Sequence, residues 1–246
     1  MNFPIAGRRT RRAGLRLALA LALLGAGMHA SAADASKNLA PGFSALPRDA
    51  TILVAPPDVE LFEIGAGGVP APRADWTTSA RQSIRGEIEK RRTQFGALTV
   101  ELDEATADEF GELLSLHAAV ARSIALHHFG TMPLPTKDGK LDWTFADALQ
   151  PLQQKSGAGY GLFIWVRDGY TSAGRTATIA ITAILTLGHV IPGGGMQSAY
   201  ASLVDLQSGR VLWFNSVARR SGDLRTPESA TETVDELLKN FPVAPR

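Results

Sequence analysis

Apolar positions change their spacing several times along the chain, and each change marks an element. Thr51-Ile52-Leu53-Val54-Ala55 is a short apolar run closed by Pro56-Pro57. That is the pattern of a buried strand, because proline cannot donate to a hydrogen-bond ladder. Residues 59–64 extend it, and a Gly/Pro-rich loop follows over 65–72. Over residues 75–95, Trp76, Ala80, Ile84 and Ile88 recur every four positions while Arg81, Arg85, Glu89 and Arg92 fall elsewhere. This predicts an amphipathic helix. A second short strand is expected at 98–102, then a long helix over 105–129 with Phe110, Leu113, Leu114, Ala121 and Ile124 facing inward. Gly130, Pro133 and Pro135 stop it, as glycine and proline do at helix ends. Residues 131–142 read as a loop, and 142–155 as a shorter helix kinked by Pro151.

After Gly157 the period shortens to that of strands. Residues 160–166 are almost continuously apolar, as in a central strand, and 175–187 alternate loosely. Residues 196–206 and 210–218 are joined by Gln207-Ser208-Gly209, a hairpin signal with a glycine free to take positive φ. Asp205 stands where its side chain can accept from the turn amides. A last helix is expected over 228–241, with Val234, Leu237, Leu238 and Phe241 as its apolar stripe. The order β-α-β-α-α-β-β-β-β-α predicts an α/β (α+β) class: one domain over 49–246, helices packed on a mixed sheet, and a late antiparallel meander.

The amino terminus carries a different message. Residues 1–32 hold Arg8, Arg9, Arg11, Arg12 and Arg16 and no acid, then an apolar run, then Ala30-Ser31-Ala32. A basic segment, a short apolar segment and a small-residue site make a signal peptide, with cleavage expected after Ala32. The apolar run is too short to span a bilayer. The segment from Thr10 to Arg16 also resembles a twin-arginine signal, although Gly14 replaces a large apolar residue; general secretion is the default. Without cysteine there is no lipid-modified amino terminus and no disulfide or thiolate metal site. The expected location is the periplasm, with outer-membrane association as an extension of it. Residues 33–48 are small, polar and proline-containing, and read as a disordered lead-in.

The formal charge of +1 belongs to the leader. Its removal leaves 20 basic against 24 acidic residues, a net −4. That excludes the electrostatic footprint of a nucleic-acid binder.

Standard catalytic and nucleotide motifs are absent. Gly65-Ala66-Gly67-Gly68 and Gly157-Ala158-Gly159-Tyr160-Gly161 lack dinucleotide spacing and read as connectors. Glu101 and Asp103 share a strand face, where paired acids can do glycosidase chemistry; a solvated strand end explains them equally. His117 and His128 share a helix face but lie about 16 Å apart at 1.5 Å per residue, too far for one metal ion. With His189 they form a speculative polar site, against the commoner role of satisfied core histidines. No cofactor is called for. No Asp, Glu, Lys or Arg occurs from 176 to 204. The favoured reading is two buried strands with a glycine-rich connection. A hairpin meeting a membrane or another subunit and a transmembrane helix are the alternatives.

The hairpin from Tyr200-Ala201-Ser202-Leu203-Val204-Asp205-Leu206 to Gly209-Arg210-Val211-Leu212-Trp213 resembles one found in small periplasmic α/β modules: CsgG, the TolB amino-terminal domain and LpoB-type activators of cell-wall synthases. Gly157-Ala158-Gly159-Tyr160-Gly161-Leu162 is similar to their strand entry, with Gly159 in place of an acid. Thr51-Ile52-Leu53-Val54 and Leu98-Thr99-Val100 fit the same order. The resemblance implies a non-enzymatic envelope protein that binds a protein partner or assembles with itself. Tyr170, Tyr200, Trp213 and Trp165 are the candidate interface anchors, since aromatic residues dominate interface energy. The rival expectations are an envelope-directed hydrolase using His117 or His128, and a small-ligand binder roofed by residues 65–72.

Overall fold

The computed structural model describes residues 37–102, 104–174, 176, 177, 179, 196–220 and 223–244. Leu39–Arg246 form one compact unit, and of the other, Met1–Asn38, only Lys37 and Asn38 are described. The expected signal peptide and its cleavage site lie outside the described residues.

An open mixed sheet of seven strands carries the fold. Its strands are β1 (Thr51–Val54), β2 (Asp58–Ile64), β3 (Pro70–Pro72), β4 (Leu98–Glu101), β5 (Tyr160–Thr171), β6 (Gln197–Asp205) and β7 (Val211–Arg219). Five α-helices occur among the described residues: α1 (Ala74–Arg91), α2 (Glu104–Glu109), α3 (Gly111–Ile124), α4 (Gln150–Ser156) and α5 (Pro227–Leu237). β5 is the hub. It runs parallel to β1 and β2 on one side and antiparallel to β6 on the other, and β7 closes the meander. β4 lies outside β1, parallel to it, and β3 pairs β2 in antiparallel.

β1 and β2 are one strand interrupted at Pro56-Pro57. Val54 pairs with Leu162, whereas Asp58 pairs with Trp165, so the register slips by one residue across the prolines. Strand side chains alternate between faces, and a one-residue bulge resets the alternation. Val59 and Leu61 therefore join Ile52 and Val54 on the same core face.

Each face has its own core. On the first, Ile52, Val54, Leu162, Ile164, Val166, Leu203 and Trp213 meet Ala80, Ile84 and Ile88 of α1 and Ala230, Val234 and Leu237 of α5. The expected four-residue stripe thus holds, and each buried isoleucine contributes about 1.5–3 kcal/mol. On the second, Leu53, Phe163, Val204 and Phe214 meet Leu113, Ala121 and Ile124 of α3 and Leu152 of α4.

Both outer edges of the sheet are partly closed by the chain itself. Arg92 lies along β4, giving Nε to Thr99 Oγ1 (2.6 Å) and Nη2 to the Thr99 carbonyl (3.1 Å). Along β7, Ala40 N donates to the Leu212 carbonyl (2.8 Å), and Asn215 Oδ1 accepts from Ser216 N (2.9 Å).

Several expectations need correction. The described part of the lead-in is not disordered: Leu39 bridges Trp213, Leu46 N donates to the Pro242 carbonyl, and Ala40 and Leu46 are buried. The pattern hid this because only isolated residues face the core. The helix expected from 105 breaks at Phe110, whose φ of −108° and ψ of 22° separate α2 from α3. The helix expected over 142–155 begins only at Gln150. Pro151 opens it rather than kinking it, because the first turn needs no amide from proline. Residues 143–146 bond instead to the hairpin turn: Phe145 N reaches the Gly209 carbonyl and Val211 N the Trp143 carbonyl. Of the strand expected over 175–187, Thr176, Ala177 and Ile179 are described, and they are helical; the rest lies outside the described residues.

Candidate functional site

The register of β5 on β6 sets Trp165 opposite Tyr200. Their rings stack with centroids 4.9 Å apart and planes 11° from parallel. Two guanidinium groups join them: Arg167, two residues along β5, lies 4.6 Å from the Trp165 ring, and Arg122, on the last turn of α3, lies 5.0 Å from it. Cations over an indole face are attracted by the ring quadrupole.

The two arginines differ in their partners. Arg167 Nη1 bonds Asp58 Oδ1 at 2.8 Å, and its Nε lies 3.2 Å from Glu60 Oε2. Arg122 is exposed and has no carboxylate within 4.0 Å among the described residues. Trp165 is 5% exposed, and its buried Nε1 has no hydrogen-bond partner. Tyr200 is half-buried; burial raises its phenol above the ordinary value, while Arg122 pulls it the other way. Guanidinium, indole N–H and phenol O–H all donate. The cluster offers donors and aromatic area.

A second polar cluster lies on the first face, at the end of the sheet where β5 finishes and β6 begins. Asp168, Gln197 and Thr233 are buried. Asp168 Oδ2 accepts from the Tyr170 hydroxyl and from Gln197 Nε2 (2.9 Å). Arg219 gives Nε to Gln197 Oε1 and Nη2 to Thr233 Oγ1, each at 2.6 Å. Leu224 N reaches the Tyr170 hydroxyl at 2.5 Å. Burial raises the Asp168 carboxyl above its usual range, against the pull of Tyr170 and Gln197. Burial and the Asp168 charge raise the Tyr170 phenol. The network binds three strands, α5 and the 223–226 turn together.

Of the speculative histidine site, His117 and His128 are described. His117 is 3% exposed; its Nε2 lies 3.0 Å from Ser202 Oγ, and its ring stacks on Phe163 at 5.2 Å. Burial lowers its pKa to about 3, so it is a neutral core imidazole. His128 lies in the π turn 125–129 with its ring edge-on to Phe129, and His189 lies outside the described residues. No group of three metal-binding side chains occurs among the described residues. Glu101 is held by Arg85 and Arg92; its expected partner Asp103 is not described. Asp205 Oδ1 does accept from Gln207 N and Ser208 N, both at 2.9 Å. Gly65 N bonds Val69 O in a tight turn leading to β3.

Of the four aromatic anchors, Trp165 and Tyr200 come together. Trp213 is fully buried between the sheet and α5, and Tyr170 serves the polar network. Arg122, Arg167 and Asp168 were not singled out from the sequence. The Trp165–Tyr200 pairing depends on strand register, and the place of Arg122 on how α3 crosses the sheet; neither has a local signal.

No helix among the described residues is long and apolar enough to cross a membrane. No family model matches the sequence, and no curated protein matches it significantly. Among solved structures, the PelC dodecamer from Paraburkholderia phytofirmans is similar at 12% identity, covering 82% of this chain and 94% of that one, with a TM-score of 0.38. Lipoprotein GNA1162 from Neisseria meningitidis is similar at 17% identity, with coverage of 78% and 99% and a TM-score of 0.31. The LpoB C-terminal domain from Salmonella enterica follows at 13% identity, with coverage of 74% and 88% and a TM-score of 0.27. These are distant likenesses, and the functional reading stands on the chain's own residues.

Proposed function

We propose that this chain is an exported, non-catalytic protein of the bacterial cell envelope that binds a protein partner or a second copy of itself. The observation that carries the reading is the Trp165–Tyr200 stack with Arg122 and Arg167 upon it. Tryptophan, tyrosine and arginine are the residues that anchor protein interfaces. Here they are gathered on the second face of the sheet, with Tyr200 half-buried and Arg122 exposed. Arg92 and Asn215 occupy the sheet edges, which favours a face over strand-to-strand pairing as the contact. The signal-peptide pattern supports export to the periplasm. The uncharged stretch 176–204, whose last residues are in β6, supports an additional contact surface.

The test is fractionation of cells, then light scattering of the mature protein with and without detergent. A periplasmic protein that forms a complex or oligomer, weakened by Tyr200→Ala while the variant stays folded, is the expected result. Retention in the cytoplasm, or association indifferent to Tyr200→Ala, overturns the reading.

A further inference from the structure

We infer that the Arg122–Trp165–Tyr200 cluster recognises a carboxylate, presented by an acidic segment of a protein partner. The inference rests on the reading of this face as a binding surface and names the chemistry of what it binds.

Among the described residues, the charge of Arg122 is uncompensated. Arg167 is satisfied by Asp58 and Glu60. Arg122, at the same ring, has no acid within 4.0 Å among the described residues, and its contact there is the Trp165 ring at 5.0 Å. A guanidinium is the group of choice for bidentate carboxylate binding. Trp165, 5% exposed, supplies the ring on which both guanidinium groups lie. Tyr200, stacked on the same ring at 4.9 Å, adds a hydroxyl. A guanidinium without an acid of its own, beside a phenol hydroxyl, selects an anion. Arg122 on α3 is exposed and Tyr200 on β6 half-buried, which suits a side chain carried on a protein segment.

The experiment titrates the mature protein with a decaglutamate peptide and, as its neutral counterpart, a decaglutamine peptide. Arg122→Gln removes the charge at an exposed position; Arg81→Gln, on the opposite helix layer, is the control. In parallel, p-benzoylphenylalanine in place of Ser198, also on β6, reports contacts of this face in cells. The expected result is salt-sensitive binding of decaglutamate, none of decaglutamine, a loss of tenfold or more in Arg122→Gln, and no change in Arg81→Gln. Equal decaglutamate binding by wild type and Arg122→Gln overturns the inference. So does binding of anionic phospholipid vesicles without binding of decaglutamate, and so does a crosslinked dimer that persists in Arg122→Gln. Crosslinks from position 198 without decaglutamate binding overturn the carboxylate but leave the binding face standing. Absence of both overturns the face itself.

Discussion

Tyr170 donates its hydroxyl to Oδ2 of Asp168, two residues earlier on β5, and the same oxygen takes a bond from Gln197 at the start of β6. One buried carboxylate oxygen thereby ties the end of one strand to the beginning of the next, and Arg219 and Thr233 hold Gln197 from behind.

Burial raises the Asp168 pKa, so the folded protein holds this proton more tightly than the unfolded chain. The contribution of Asp168 to stability should then fall as pH rises from about 3.9, the ordinary Asp value, through the raised folded value. Asp168→Asn keeps an acceptor and removes the titration. Urea unfolding between pH 4 and 7 should show the wild type losing stability relative to the variant; parallel profiles would refute this.

His117 works in the opposite sense. Its folded pKa is lowered to about 3, while the unfolded imidazole titrates near 6.5. Its contribution is complete above about pH 6.5 and should be lost on acidification, at about 1.4 kcal/mol per pH unit in that interval. His117→Gln, which can keep the bond to Ser202, should flatten this slope between pH 6 and 4.

Gly209 turns the β6–β7 hairpin at φ +69°, and a Cβ there would lie 2.0 Å from the Ala146 carbonyl oxygen. Gly209→Ala meets backbone on one side and strain on the other. A loss of about 3 kcal/mol or more is expected, read as a lower denaturant midpoint.

Trp213 and Tyr200 should separate cleanly. Trp213 is fully buried, so Trp213→Ala should cost about 3–5 kcal/mol. Tyr200 is half-buried and stacks on Trp165 and Phe214, so Tyr200→Ala should cost about 1–2 kcal/mol, with its main effect on association. Equal losses in thermal unfolding would mean that Tyr200 is a core residue.

Leu46 is 1% exposed, so Leu46→Ala should cost about 2–4 kcal/mol. A chain begun at Asp49 should melt well below one begun at Lys37. Identical melting temperatures would return the 37–48 segment to the status of a tail.

What could be read in advance follows the range of the forces involved. The α1 stripe, the Gly209 hairpin and the Asp205 turn all arise between neighbours in sequence, and the chain spells them out. The docking of residues 143–146 on the hairpin, the burial of Leu46 and the break at Phe110 depend on partners far along the chain. The interaction site was half legible. Trp165 and Tyr200 are conspicuous as aromatic residues in strands, but Arg122 is one exposed helix arginine among several until α3 lies across the sheet. Asp168 has no local signal, because Gln197, which bonds it, is brought beside it only by the pairing of β5 with β6.

The slip in register at Pro56-Pro57 leaves the strand one residue over. Loops elsewhere on the molecule can gain or lose a residue at little cost. Here Val54 and Val59 are five positions apart while their partners on β5, Leu162 and Val166, are four apart. Removing one proline would equalise the two distances, so Val59 and Leu61 would keep their side of the sheet and only the bulge would go. The proline pair thus holds one surplus residue, and the two halves of the strand can lose it without exchanging their faces.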